Sequence, residues 1–221
     1  KGLAFACGEE PIPSYLASRG LRIVATDLAP DKVAGLGWAE TGQHASTLDK
    51  LFYPKLVDRD AFDRLITLQY VDMNSIPDSL TGFDFCWSIC SLEHLGSIKL
   101  GLDFIENSLR TLRPGGLAIH TTEFNILDKG DTVDNWPTVL FQRRHFEQIA
   151  DRLRAQGHWV APLDFDFGDG PIDNFIDVPP YDWDRLFAHG QLRAQKENPA
   201  HLKLVVDGFP VTCFGIVVRK K

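Results

Sequence analysis

Residues 3–27, LAFACGEEPIPSYLASRGLRIVATD, restrict what the chain can fold into more than any other stretch. An apolar run closes on Gly8, and Pro11 and Pro13 then fall in the first turn of a helix, where a missing N–H costs nothing. Ile12 and Leu16 lie four apart on one helix face, and Gly20 stands where such a helix stops. A second apolar run, residues 22–26, ends at Asp27. Strand, helix and strand in this span make a crossover unit, which sets the two strands parallel and adjacent.

The rest of the chain continues that alternation. Residues 29–66 read as mixed helix and loop around the polar stretch GWAETGQHAST. LQYVDMN, residues 68–74, reads as a third strand that stops at Asp72, and FDFCWSI, residues 83–89, as a fourth, buried on both faces. Leu102, Ile105, Leu109 and Leu112 mark a helix over residues 98–112, which RPGG breaks before a fifth strand at 117–122. A helix at 144–155 and a strand at 158–165 follow, then an Asp-, Gly- and Pro-rich segment over 166–184. Two strand runs around Asp207-Gly208 read as a hairpin. The pattern predicts an α/β fold, a doubly wound and mostly parallel sheet with an antiparallel C-terminal hairpin. At 221 residues it predicts a single domain, 1–221, and the abrupt strand at the start points to further residues upstream of Lys1 or to a larger parent chain.

Composition removes several classes of function. The net charge of −7 and the absence of a Lys/Arg cluster argue against nucleic acid, and the RKK terminus reads as a solvated tail. No apolar run reaches the roughly 20 residues of a membrane span. Cys7, Cys86, Cys90 and Cys213 sit mostly in apolar runs, as free thiols do in a reducing compartment, so a cytoplasmic location is expected. The CxxxC of Cys86 and Cys90 lacks the third thiolate of an iron–sulfur motif, because Glu93 stands there. His44, His94, His120 and His145 show no metal-binding spacing, and the acidic run from Asp164 has Phe175 where a calcium loop needs its bidentate Glu.

In an open α/β sheet the ligand sits beyond the carboxyl ends of the strands, here residues 6–10, Asp27, Asp72-Met73, 88–94 and 120–125. Asp27 follows Gly8 by 19 residues, the spacing of a ribose-binding carboxylate after a glycine turn. A pyrophosphate would meet repulsion from Glu9 and Glu10 and would lose a donor at Pro11, which disfavours a nicotinamide dinucleotide. A ligand with cationic groups and no phosphate tolerates those carboxylates. The two glutamates also stabilise the positive end of the helix, by about 0.3–1 kcal/mol each.

AFACGEE, the ATD strand end, VDM, FDFCWSICSLEHL and LRTLRPGGLAIHTTEF occur in an order and spacing that resembles class I S-adenosylmethionine-dependent methyltransferases, over residues 2–125. Against that pattern Ala4 stands at the usual Asp, Ala6 at the first glycine of the loop, Gly8 at the second and Glu10 at the third. The resemblance implies S-adenosyl-L-methionine as cofactor, cradled by Ala6, Gly8 and Glu10. It implies ribose at Asp27, adenine at Asp72 and Met73, and the methyl group near Ser88 and Ile89.

Methyl transfer needs a positioned acceptor and, for a hydroxyl or protonated amine, a base. His94 has the titration range for a base; equally, Glu93-His94 could open the next segment with structural hydrogen bonds. The polar TTEFN strand end makes Glu123 a catalytic candidate and Glu93, His120 and Asn125 acceptor contacts. Tyr181 and Trp183 belong to a long segment that reads either as a lid over a sugar or flat acceptor or as a packed surface loop. The expected activity is O-methylation of a small molecule or saccharide. The alternative is a non-catalytic domain of the same fold within a larger glycan-assembly protein.

Overall fold

The computed structural model describes residues 1–33, 38, 42–170, 173–179 and 203–221. Among the described residues eight strands form one sheet: β1 (Gly2–Phe5), β2 (Ile23–Asp27), β3 (Ile66–Tyr70), β4 (Phe83–Ser88), β5 (Leu112–Asn125), β6 (Trp159–Val160), β7 (Leu204–Val206) and β8 (Phe209–Arg219). The order is β3-β2-β1-β4-β5-β8-β6, with β7 paired to β8. β1 to β5 run parallel, and β8 is antiparallel to β5, β6 and β7. The helices are α1 (Ile12–Ser18), α2 (Pro30–Val33), α3 (Arg59–Leu65), α4 (Ile98–Ser108) and α5 (Arg143–Ala155).

The period-2 alternation of the strands feeds two cores, one on each face of the sheet. Leu3, Phe5 and Cys86 pack with Phe104 and Ile105 of α4 and Phe146 and Ile149 of α5. Ala4, Ala25 and Trp87 pack with Ala17 of α1 and Phe62 of α3. The doubly wound architecture therefore matches the sequence expectation. The strand order reverses between β1 and β4, and that switch point opens a crevice at the carboxyl ends of the strands.

Local signals explain the element ends. After α1 the Leu21 N–H bonds Leu16 O at 3.1 Å and the Gly20 N–H bonds Ala17 O at 2.8 Å, with Gly20 at φ +79°, so the helix closes in a Schellman turn. Asp58 and Ser97 cap α3 and α4 by accepting from Ala61 N–H and Leu100 N–H. Asp207 and Gly208 both take positive φ, as a two-residue hairpin turn between β7 and β8 requires.

Three strands differ most from the sequence reading. β3 ends at Tyr70, so Asp72 and Met73 lie in the loop beyond it. β5 runs from Leu112 to Asn125 because β8 pairs with it from Leu117 to Asn125 and Leu112 pairs with Phe83 across a register shift. The expected strand at 158–165 shrinks to Trp159–Val160, since Pro162 has no N–H to extend the ladder. Beyond it Phe165 stacks on Phe214 with centroids 4.8 Å apart, and Phe167 lies 5.5 Å from Phe124, so this part of the acidic segment packs on the core. No helix among the described residues is long and apolar enough to cross a membrane.

Gly101 lets α4 approach its neighbours closely: a Cβ there would lie 2.5 Å from Phe141 Cζ and 2.9 Å from Leu92 O. Overpacking of about 1–3 kcal/mol outweighs the gain of about 1 kcal/mol that alanine brings to a helix interior. Gly101→Ala is expected to lower the melting temperature by several degrees, as calorimetry would measure, and an unchanged value would refute this packing.

Candidate functional site

A cavity of about 700 Å³ opens at the carboxyl ends of β1, β2, β4 and β5. Its wall includes Ala6, Gly8, Glu10, Asp27, Asp72, Met73, Ile89, Glu93, His94 and Glu123, all expected from the sequence to serve a site. Leu28, Lys32, Trp38 and Cys90 also line it.

The β1 end is held by Asp27, which is 4% exposed. Its Oδ2 accepts from the N–H groups of Gly8 at 3.1 Å and Ala45 at 2.9 Å, and its Oδ1 from Leu28 N–H at 2.8 Å. Ala6 and Gly8 both adopt left-handed φ, +44° and +52°. Glycine is favoured at position 8 on two counts, because a Cβ there would also stand 3.2 Å from the Gln43 backbone. Ala6 keeps the same backbone without being glycine, at a cost of about 1 kcal/mol.

The two glutamates of this loop have separate fates. Glu9 pairs with Lys50 at 2.9 Å. Glu10 faces the cavity, accepts a long bond of 3.5 Å from Trp87 Nε1–H, and is pushed up to about 7, first by burial and further by the charge of Asp27. Across the cavity, Lys32 lies 3.7 Å from Asp72.

The β4 and β5 ends carry a second group of ionisable residues. Glu93 is fully buried and accepts from Thr122 Oγ1–H at 2.9 Å and Glu123 N–H at 3.3 Å. Burial drives its carboxyl up to about 8. Burial also raises Glu123, whose Oε2 is buried without a hydrogen-bond partner among the described residues. The His94 Nδ1 lies 3.1 Å from Pro137 O, which only accepts, and 3.2 Å from Thr138 Oγ1, which can do either; the carbonyl favours the tautomer with the proton on Nδ1 and the lone pair on Nε2. Burial lowers the His94 pKa, so the ring is neutral at pH 7, and Trp38 lies against it with centroids 5.4 Å apart.

Three expected residues are placed elsewhere. His120 is 1% exposed in the core, where its Nδ1 meets Ser88 Oγ at 2.8 Å and its Nε2 meets Ser108 Oγ at 3.0 Å. The side chains of His120 and Ser88 thus satisfy each other instead of lining the cavity. Asn125 is also buried, donating to Thr132 Oγ1 at 3.2 Å and accepting from Leu127 N–H at 2.9 Å, so it holds a loop. Tyr181, with Trp183, lies outside the described residues. Among the cavity residues the sequence reading missed, Trp38 falls in the stretch read only as irregular and polar. Cys90 lies in the strand end at 88–94 that the sequence marked, but was read there only as a free thiol.

Replacing Asp27 by alanine removes the acceptor of three backbone donors, each costing about 1–3 kcal/mol when buried and unpaired. Asp27→Ala is therefore expected to lose at least about 3 kcal/mol of stability in urea unfolding with no ligand present; a loss below 1 kcal/mol would overturn this account.

The raised carboxyls set a pH dependence. Glu93 and Glu10 keep protons in the folded state that the unfolded chain has given up above its carboxyl pKa of about 4.5, so folding weakens as pH rises toward their folded values of about 8 and 7. His120, held at about 3, works in the opposite sense, but only below the unfolded histidine value of about 6.5. From pH 6.5 to 8.5 the carboxyls contribute a fall of about 1–2 kcal/mol, opposed by the Cys213 thiol, whose lowered value of about 6 acts in the opposite sense. Glu93→Gln should flatten most of that slope in urea titrations, and a slope equal to that of the parent would contradict the assignment.

No family profile matches the chain. A malonyl-[acyl-carrier protein] O-methyltransferase of Erwinia billingiae is 30% identical over 122 residues, 55% of this chain, and the match spans about half, 46%, of that relative. Among solved structures, geranyl diphosphate C-methyltransferase of Streptomyces coelicolor, crystallised with S-adenosyl-L-homocysteine, superposes with a TM-score of 0.57 at 13% identity. That superposition covers 100% of this chain and 70% of the other. The (4+2)-cyclase SpnF superposes at 0.53 with 19% identity, over 99% of this chain and 73% of its own. The chain thus has the fold of solved S-adenosylmethionine-dependent methyltransferases, and over about half of its length its sequence is similar to that of one O-methyltransferase.

Proposed function

We propose that the chain is an S-adenosylmethionine-dependent methyltransferase that methylates a small molecule at oxygen, with saccharides among the candidate acceptors. The observation that carries this reading is the charge around the β1 loop. Glu10 and Asp27 face the cavity at the switch point, and the nearby Lys50 is committed to Glu9. That field opposes a pyrophosphate and favours a ligand bearing ammonium and sulfonium groups. The volume of about 700 Å³ suits a nucleoside cofactor together with a small acceptor. The relative's named reaction, methylation at oxygen, supports the choice of acceptor atom.

Within this reading, Ala6, Gly8 and Glu10 form the floor for the methionine portion. Asp27 faces the ribose with the acceptor capacity left after its three backbone bonds, and Asp72 and Met73 flank the adenine. The cofactor supplies an activated methyl group on a good leaving sulfur. His94 takes the proton of the acceptor hydroxyl at Nε2, the nitrogen that the Pro137 contact leaves basic. Glu123 offers its unpartnered oxygen to the acceptor, with Glu93 behind it fixing the Glu123 backbone.

S-adenosylhomocysteine is expected to bind with an affinity measurable by calorimetry. His94→Ala is expected to leave that affinity intact while lowering kcat about 10²- to 10⁴-fold with a methyl acceptor found by screening. Failure of the folded protein to bind S-adenosylhomocysteine would refute the reading and favour a non-catalytic domain of the same fold. An unchanged kcat would refute the role of His94.

A further inference from the structure

We propose that Cys90 and Cys213 form a reversible disulfide in the wall of the cavity, a modification site through which an oxidant changes ligand binding. The two residues are 123 apart in the chain, yet their sulfurs stand 3.8 Å from each other. A bonded pair needs about 2.05 Å, so closure asks the sulfurs to approach by about 2 Å. Cys90 follows β4 with a left-handed φ of +42°, its N–H bonded to Thr121 O at 3.0 Å, and lines the cavity with its neighbours Ile89 and Ser91. Cys213 lies on β8 directly across from Glu123 of β5, and it is the exposed member of the pair.

The chemistry of the two thiols is divided. The two sulfurs share one hydrogen bond, in which either can donate; with Cys90 as donor it favours the thiolate at Cys213 and opposes it at Cys90, Thr121 adds to this at Cys213, and burial and Glu123 act against it. An accessible, thiolate-prone sulfur beside a resolving thiol is the arrangement of a redox-sensing pair. The remaining cysteines, Cys7 and Cys86, are buried and pushed up by burial, which leaves them inert.

With hydrogen peroxide as oxidant, the Cys213 thiolate attacks one peroxide oxygen, the O–O bond breaks, and hydroxide leaves a sulfenic acid behind. The Cys90 sulfur then gives up its proton and attacks the Cys213 sulfur; the S–S bond forms, the S–O bond breaks, and water leaves. In sum, two thiols and one peroxide become a disulfide and two waters. A small dithiol reverses the bond by exchange. Closure draws Cys90 toward β8 and with it the cavity wall at Ile89 and Ser91. The effect on S-adenosylhomocysteine rests on the proposed function; the disulfide itself does not.

The test treats the folded protein with a slight excess of hydrogen peroxide, alkylates remaining thiols, and reads intact mass and peptides. The expected result is a loss of two hydrogens, one peptide joining Cys90 to Cys213, and alkylation of Cys7 and Cys86 after denaturation. Cys90→Ser should leave a sulfenic acid at Cys213 that dimedone traps, and Cys213→Ser should give neither product. Absence of the joined peptide, or pairing that involves Cys7 or Cys86, would overturn the site. Calorimetry with S-adenosylhomocysteine should show a several-fold affinity change on oxidation, restored by dithiothreitol. Equal affinities would overturn the coupling to the cavity. A reduced protein that binds none would overturn the methyltransferase reading and the coupling together, while the disulfide stands or falls on mass alone.

Discussion

The carboxylate of Asp27 is the interaction on which the rest of the site depends. Almost fully buried, it gathers N–H donors from the loop after β1, from the residue following β2 and from Ala45 in the segment beyond. A charge in that position persists only because hydrogen bonds compensate its lost hydration. The same bonds impose the left-handed turn at Gly8 and so fix how the β1 loop faces the cavity. Stability and ligand geometry at this strand tip are therefore one property, and a residue that serves a ligand here also holds the backbone together.

Around that anchor the cavity collects carboxyls instead of cations. Glu10, Glu93 and Glu123 are all raised by burial, and the lysines near the cavity, Lys32 and Lys50, sit by Asp72 and Glu9. Desolvated carboxyls hold protons near neutral pH and ionise again when a cation or hydrogen-bond donor arrives. The wall thus responds to the charge of what enters it, which a phosphate-binding loop built from free N–H groups does not do.

Much of the fold was legible because its signals are local. Pro11, Gly20 and the apolar runs of residues 3–27 act within a few residues of each other, and the structure returns the same strand, helix and strand. The readings that failed involved distant partners. β5 is long because β8, some 90 residues later, pairs along it, and the run after His158 ends its ladder early at Pro162. The site shows the same division. His94, read as a base, and His120, read as an acceptor contact, both stood near strand ends; burial between Ser88 and Ser108 took His120 into the core, while His94 reached the cavity.

By itself the sequence determined the alternation of elements, the parallel sheet, the carboxylate at the tip of β2 and the unusual acidity of the first loop, because periodicity, turn residues and charge act at short range. Only the tertiary structure decided which acidic side chains face the cavity and which pair away from it. It alone brought Trp38 against His94 and Cys90 against Cys213. Such pairings arise when strands far apart in the chain become neighbours in the sheet, and burial then sets the protonation of the groups they enclose.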